Sequence, residues 1–335
     1  MPGPKIPTAD EIAWMQEHSS DTLVPDIIVA CSILSVASTL FVALRLISRR
    51  LLHGSLQLHT NDWLVLLAWF LYIVFTVCFG LTTRYGAGRH IIYATDVRLL
   101  QIFNLTNENL YACALALLKW SVLLLYRQIF GSRVAWFDRL TWVIATVATA
   151  LALQVLITSN LQCIPIATTW DPSIPGSCFD YGKSALVAYV VNFMTELTLL
   201  SMPIPLVLRL QVSRQKKWML VLMFAAGAGT CIVSIVQLKY ITKLGQTSDA
   251  TWDIIPSGLL TATELAVGFL ATSIPTYRPL YQYIFQQRVG GQSNSSRDYD
   301  RIDPNRPSTK WPSERTPPPH VIVVTDEVEL LSQPR

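Results

Sequence analysis

The chain has 335 residues, 51% of them hydrophobic and only 14% charged, with a formal net charge of +4. Soluble domains carry about 25% charged residues, so the composition argues against a protein surrounded by water. The small positive charge is explained by its distribution over loops, which removes the need for a nucleic-acid partner.

A membrane-crossing helix needs about 20 mostly apolar residues, because the hydrocarbon core is about 30 Å thick and a helix rises about 1.5 Å per residue. Seven such blocks run over residues 26–47, 62–82, 103–125, 140–160, 185–208, 218–238 and 257–275. The expected fold is an all-α integral membrane bundle of seven transmembrane helices. Residues 1–25 are expected as an extracellular N-terminal segment, 26–285 as the membrane domain and 286–335 as a disordered cytosolic tail. The first 25 residues lack a basic start followed by an apolar run, so the first span is read as an uncleaved signal anchor.

Lys and Arg gather in cytoplasmic loops. One set of alternate loops holds Arg49, Arg50, Arg127, Arg133, Arg139, Arg209, Arg214, Lys216, Lys217, Arg278 and Arg288. The other set holds Lys5, Arg84, Arg89, Arg98, Lys183 and Lys243, with Lys239 at a span edge. The richer set is assigned to the cytosol, which puts the N-terminus outside and the C-terminus inside. Trp63, Trp136, Trp142 and Trp218 then fall at cytoplasmic boundaries, and Trp170 and Trp252 in outer loops, in keeping with an interfacial aromatic belt.

The ionisable groups inside spans carry the functional signal, since such groups face the bundle interior or water. Span three holds Glu108 and Lys119, eleven positions apart and so within about 20° of one face. Span five holds Asn192 and Glu196, one turn apart. Span seven holds Glu264. Glu196 is the leading candidate to neutralise Lys119, while Glu108 and Glu264 are expected nearer the outer half, lining a cavity. Asp62 is read as the cap of span two. A ligand cavity, a proton relay and a packing network all remain open on these residues.

Pro203, Pro205, Pro275 and Pro279 end or bend spans five and seven. The run Ala225-Ala226-Gly227-Ala228-Gly229 permits close helix approach in span six. Cys31, Cys78, Cys113 and Cys231 lie in spans as small packing residues. Cys163 and Cys178 share the long outer loop, on the oxidising side, where a disulfide closing a lid over the bundle is expected. The sequons at Asn104 and Asn294 are expected to stay unused. In the tail, Asp326 to Leu331 has the form of an acidic dileucine signal, and the apolar run before it is short enough to dock by strand addition.

No catalytic or metal-binding motif is visible. Span seven lacks a lysine, so no retinal cofactor is expected. Tyr126-Arg127-Gln128 lacks the Asp-Arg-Tyr pattern of G-protein-coupled receptors.

Several stretches together resemble the fungal rhodopsin-like seven-helix family, which includes satratoxin-cluster integral membrane proteins and Pth-type receptor-like proteins. They are Asn61-Asp62-Trp63, Gly86-Ala87-Gly88-Arg89-His90, Glu108 to Tyr126 with Lys119, and the Cys163-x-Pro165 to Gly176-x-Cys178 loop. Asn192, Glu196, Pro203-x-Pro205, Glu264 and Pro275 to Pro279 continue the series. Asn61, Glu196 and Gln237 depart from the family's usual Asp, Asp and Arg. The resemblance implies a receptor-like membrane protein with no defined ligand. Expected partners are the lipid bilayer, a small or lipophilic ligand and a cytosolic signalling protein, at the plasma membrane before an endomembrane. A link to a secondary-metabolite pathway is implied as well. A metabolite transporter and an intramembrane acid-catalysed enzyme are the rival readings.

Overall fold

The computed structural model describes residues 7–53, 58–130, 135–169, 174–179, 181–205, 214–244 and 247–277. The compact unit covers Met1–Arg288. The expected tail signals lie outside the described residues.

A short helix, α1 (Ala9–Glu17), precedes the bundle. It begins with a capping box in which Glu11 N–H donates to Thr8 Oγ1 at 3.4 Å and Thr8 N–H to Glu11 Oε2 at 2.7 Å. Such reciprocal bonds satisfy donors that the first turn leaves free. The sequence reading had no helix here.

Among the described residues, seven helices long and apolar enough to cross a membrane follow. They are α2 (Val24–His53), α3 (Thr60–Thr82), α4 (Val97–Phe130), α5 (Ala135–Asn160), α6 (Tyr181–Ser201), α7 (Arg214–Leu244) and α8 (Ala250–Ser273). All seven expected spans are present, with shifted ends. Helix α4 starts six residues and α8 seven residues before the expected points, since their first turns are polar and escape an apolar window. Pro256 therefore falls inside α8, and Trp252 belongs to its first turn rather than to a loop.

Each span packs on its sequence neighbours, and α8 closes the ring against α2. Helices α4 and α8 also touch each other across the ring, so they form its centre. The radial distribution is reversed relative to a soluble protein. Val36 is 70% exposed, and Ile33, Phe70, Leu153 and Ile232 also face outward. Arg45, Asn61, Asp62, Lys119, Gln237 and Glu264 are buried. Lipid solvates apolar side chains at no cost, whereas polar ones must find partners inside. That requirement explains why the polar minority sets how the helices rotate.

At one end of the ring Cys163 and Cys178 are disulfide-bonded and face each other across a two-stranded antiparallel pair, β1 (Cys163–Ile164) and β2 (Ser177–Cys178). Cys31, Cys78, Cys113 and Cys231 are free. At the same end Gly86 and Gly88 adopt positive φ of 113° and 80°. A Cβ on Gly88 would meet Ile27 Cδ1 at 3.0 Å and Val24 N at 3.2 Å. Only glycine allows both the backbone conformation and that approach. The turn places His90 against Asp249, with Nδ1 and Oδ2 2.5 Å apart, under the stacked ring of Trp252.

At the opposite end Ser48 Oγ donates to the Thr276 carbonyl. Arg45 Nη1 donates to the Thr272 carbonyl at 2.6 Å and Nε to Asp62 Oδ1 at 2.9 Å. Asp62 Oδ2 accepts from His59 N–H at 3.0 Å and lies 3.4 Å from Arg49 Nε. Asp62 thus caps α3, as expected, and also clamps α2 to α3. Sequence reading missed Arg45 entirely.

Candidate functional site

Lys119, Asn192, Glu196 and Glu264 fall together at the contact of α4, α6, α7 and α8, whereas Glu108 lies eleven residues before Lys119 on α4, in the wall of a cleft. Lys119 on α4 donates from Nζ to Asn192 Oδ1 at 2.5 Å, to Thr195 Oγ1 at 2.6 Å and to the Asn192 carbonyl at 3.5 Å. Its three donors are thereby used on neutral acceptors of α6. Glu196, the expected partner, is not the group it touches. Asn192 Nδ2 carries the connection onward, donating to Glu196 Oε1 and to Glu264 Oε1, each at 3.1 Å. Asn192 and Glu196 share a helix face, as their one-turn spacing implied. Which of the two meets Lys119 depends on helix rotation, which spacing does not specify.

Glu264 on α8 reaches two further helices. Its Oε2 accepts from Tyr111 Oη at 2.9 Å and from Gln237 Nε2 at 3.1 Å. Glu196 Oε2 accepts from Ser234 Oγ at 2.5 Å. Four helices are joined in this way through two carboxyl groups. Sequence reading overlooked Tyr111, Thr195 and Ser234. A hydroxyl within a span gives no periodic signal apart from its neighbours, because it is equally at home bonding its own helix backbone.

Two clefts flank the network and share Lys119. The first lies between α4, α5 and α6, toward the disulfide end, and is partly open. Its walls carry Ala112, Ala116, Ala148, Ala152, Ala185 and Ala188, and its polar groups are Glu108, Tyr111, Tyr189, Lys119 and Asn192. The alanines explain the space: three helices that pack through small side chains leave a slot where larger ones would meet. The second cleft, of about 680 Å³ and also partly open, lies toward the clamp end and is lined by Glu196, Glu264, Lys119, Tyr126 and Thr230 among apolar groups. Glu108 therefore faces the first cleft and Glu264 the second. Among the described residues no cluster of three or more His, Cys, Asp or Glu side chains could hold a metal ion.

An apolar-faced ring of seven helices around a buried polar network defines an integral membrane protein of the seven-helix class. The fungal rhodopsin domain model matches residues 44–283, and the chain belongs to that family. Among its relatives, a SAT4 family membrane protein of Emericella nidulans is 30% identical over 237 residues, covering 64% of this chain and 57% of the relative. The polyenoic acids biosynthesis gene cluster protein Ba17b of Metarhizium anisopliae is 27% identical, covering 81% and 77%. Receptor GIN3 of Arthrobotrys oligospora is 25% identical, covering 77% and 62%. The chain thus spans less than two thirds of the length of two of these three relatives. No solved structure matches it.

Proposed function

We propose that this protein is a receptor-like sensor of a small lipophilic molecule, which it takes into the alanine-lined cleft between α4, α5 and α6. The observation that carries this reading is the position of Lys119, at the floor of that cleft and at the start of a bonded chain reaching α6, α7 and α8. A ligand that displaces the lysine changes the partners of all four helices at once. Such a differential contact is what lets a ligand shift a conformational equilibrium. The disulfide at the same end supports placing the cleft on the outer face, since disulfides persist in oxidising compartments. The Arg-rich loops then face cytosolic signalling partners at the plasma membrane. One relative is named a receptor, and another is named for a biosynthesis cluster. Both names favour a sensor tied to secondary metabolism.

The reading is tested by thermal shift in nanodiscs against a panel of lipophilic metabolites, because a ligand that binds only the folded state raises its stability. A hit should vanish in Ala148→Trp, which fills the cleft, and in Lys119→Met. A panel without any hit, or a hit that survives both substitutions, would remove the cleft from consideration.

The second cleft gives one rival reading its own support. Two clefts toward opposite ends that share a lysine also suit a metabolite transporter. Flux of a cleft-binding compound into proteoliposomes would favour that reading, and binding without flux would favour the sensor.

A further inference from the structure

We propose that Glu196 and Glu264 form a proton-binding site that holds one shared proton between two carboxyl groups, accessible from the second cleft.

The two Oε1 atoms accept from the same amide nitrogen, Asn192 Nδ2, at 3.1 Å each, which brings the two carboxyl groups together around one donor. Both side chains are more than nine-tenths buried. Two carboxylates in such contact away from water cannot both stay ionised. The charges give the same count. Lys119 supplies one positive charge, and two carboxylates would supply two negative ones. One retained proton makes the cluster neutral. The other titratable groups facing the pair are Tyr111 from α4, Tyr189 from α6 and Cys231 from α7, none of which supplies a second positive charge.

A metal ion is a poor occupant of the same place. Every carboxyl oxygen already accepts a bond, from Asn192, Ser234, Tyr111 or Gln237. These donors point their hydrogens where a cation would sit. A separate observation favours a proton carrier. Gln237 is fully buried, and its Oε1 accepts from no group, although its Nε2 bonds Glu264. A buried acceptor left empty is costly, and beside the pair it offers a place for a protonated carboxyl or a water to donate. Both carboxyl groups line the second cleft, whereas neither lines the first, so exchange runs through the second.

Infrared spectroscopy of the purified full chain in nanodiscs at neutral pH tests this, with and without 13C-glutamate labelling. The wild type should show one protonated glutamate C=O band that shifts in D2O. Glu196→Gln and Glu264→Gln should each abolish it, because the remaining carboxylate balances Lys119. Lys119→Met should roughly double it, because the second carboxyl must then also take a proton. A merely structural hydrogen-bond network would not follow this sequence of none, one and two. Absence of the band in the wild type overturns the proposal even if the variants fail to fold. A band that survives both glutamine substitutions, or that Lys119→Met leaves unchanged, overturns it as well.

Discussion

Two buried charge clusters occupy this bundle, and they are built on different plans. At one end Arg45 meets Asp62 directly, with Nη2 and Oδ1 2.7 Å apart and both side chains almost fully buried. Arg45 Nη1 also donates to the Thr272 carbonyl, and Asp62 Oδ2 accepts from His59 N–H. In the centre Lys119 and the carboxyl groups are held apart by Asn192. Arg45 and Asp62 line neither of the two large clefts, whereas the central network lies between them. The first arrangement resists change, because any movement strands a charge. The second can exchange partners, since each link is a neutral amide or hydroxyl beside open space. A direct ion pair fixes helix positions, whereas a relayed one leaves its neutral links free to exchange.

The largest expected effect falls on the direct pair. Asp62→Ala leaves buried Arg45 without its counter-charge and should cost about 3–5 kcal/mol, the usual penalty for removing one partner of a buried pair. The readout is a sharp fall in melting temperature in nanodiscs. Asn192→Leu breaks the relay without removing a charge, and it should cost about 1–3 kcal/mol through the polar groups it orphans. A loss as large as that of Asp62→Ala would erase the distinction between the two clusters. Thr195→Val removes one acceptor of Lys119, leaving Asn192 to hold the amine, and should cost about 1 kcal/mol in the same melt. Val36→Ala, on the lipid face, should change stability by less than about 0.5 kcal/mol. It sets the baseline for the other three.

The seven spans were readable in the sequence because the lipid requirement acts on block length, which survives without tertiary knowledge. The site was partly readable. Glu108, Lys119, Asn192, Glu196 and Glu264 stand out because charged or amide groups are rare in apolar blocks. Their pairing was not readable. Lys119 meets Asn192 ahead of Glu196, and Glu264 meets Tyr111 and Gln237, because each outcome turns on helix rotation that spacing alone does not determine. Arg45 was missed for a related reason. It sits two residues inside the expected span end, next to the loop arginines Arg49 and Arg50, and only the fold shows that it turns inward to Asp62. Pro256 was hidden by the polar first turn of α8.

The contrast between a fixed clamp and a responsive network is tested most directly by one paired thermal-shift series in nanodiscs. Wild type, Lys119→Met and Asp62→Ala would be melted with and without a compound that stabilises the wild type. The account predicts that Lys119→Met melts below the wild type but well above Asp62→Ala and no longer responds to the compound, while Asp62→Ala melts far lower yet still responds. A Lys119→Met protein that keeps the full ligand shift, or an Asp62→Ala protein that melts like the wild type, would contradict it.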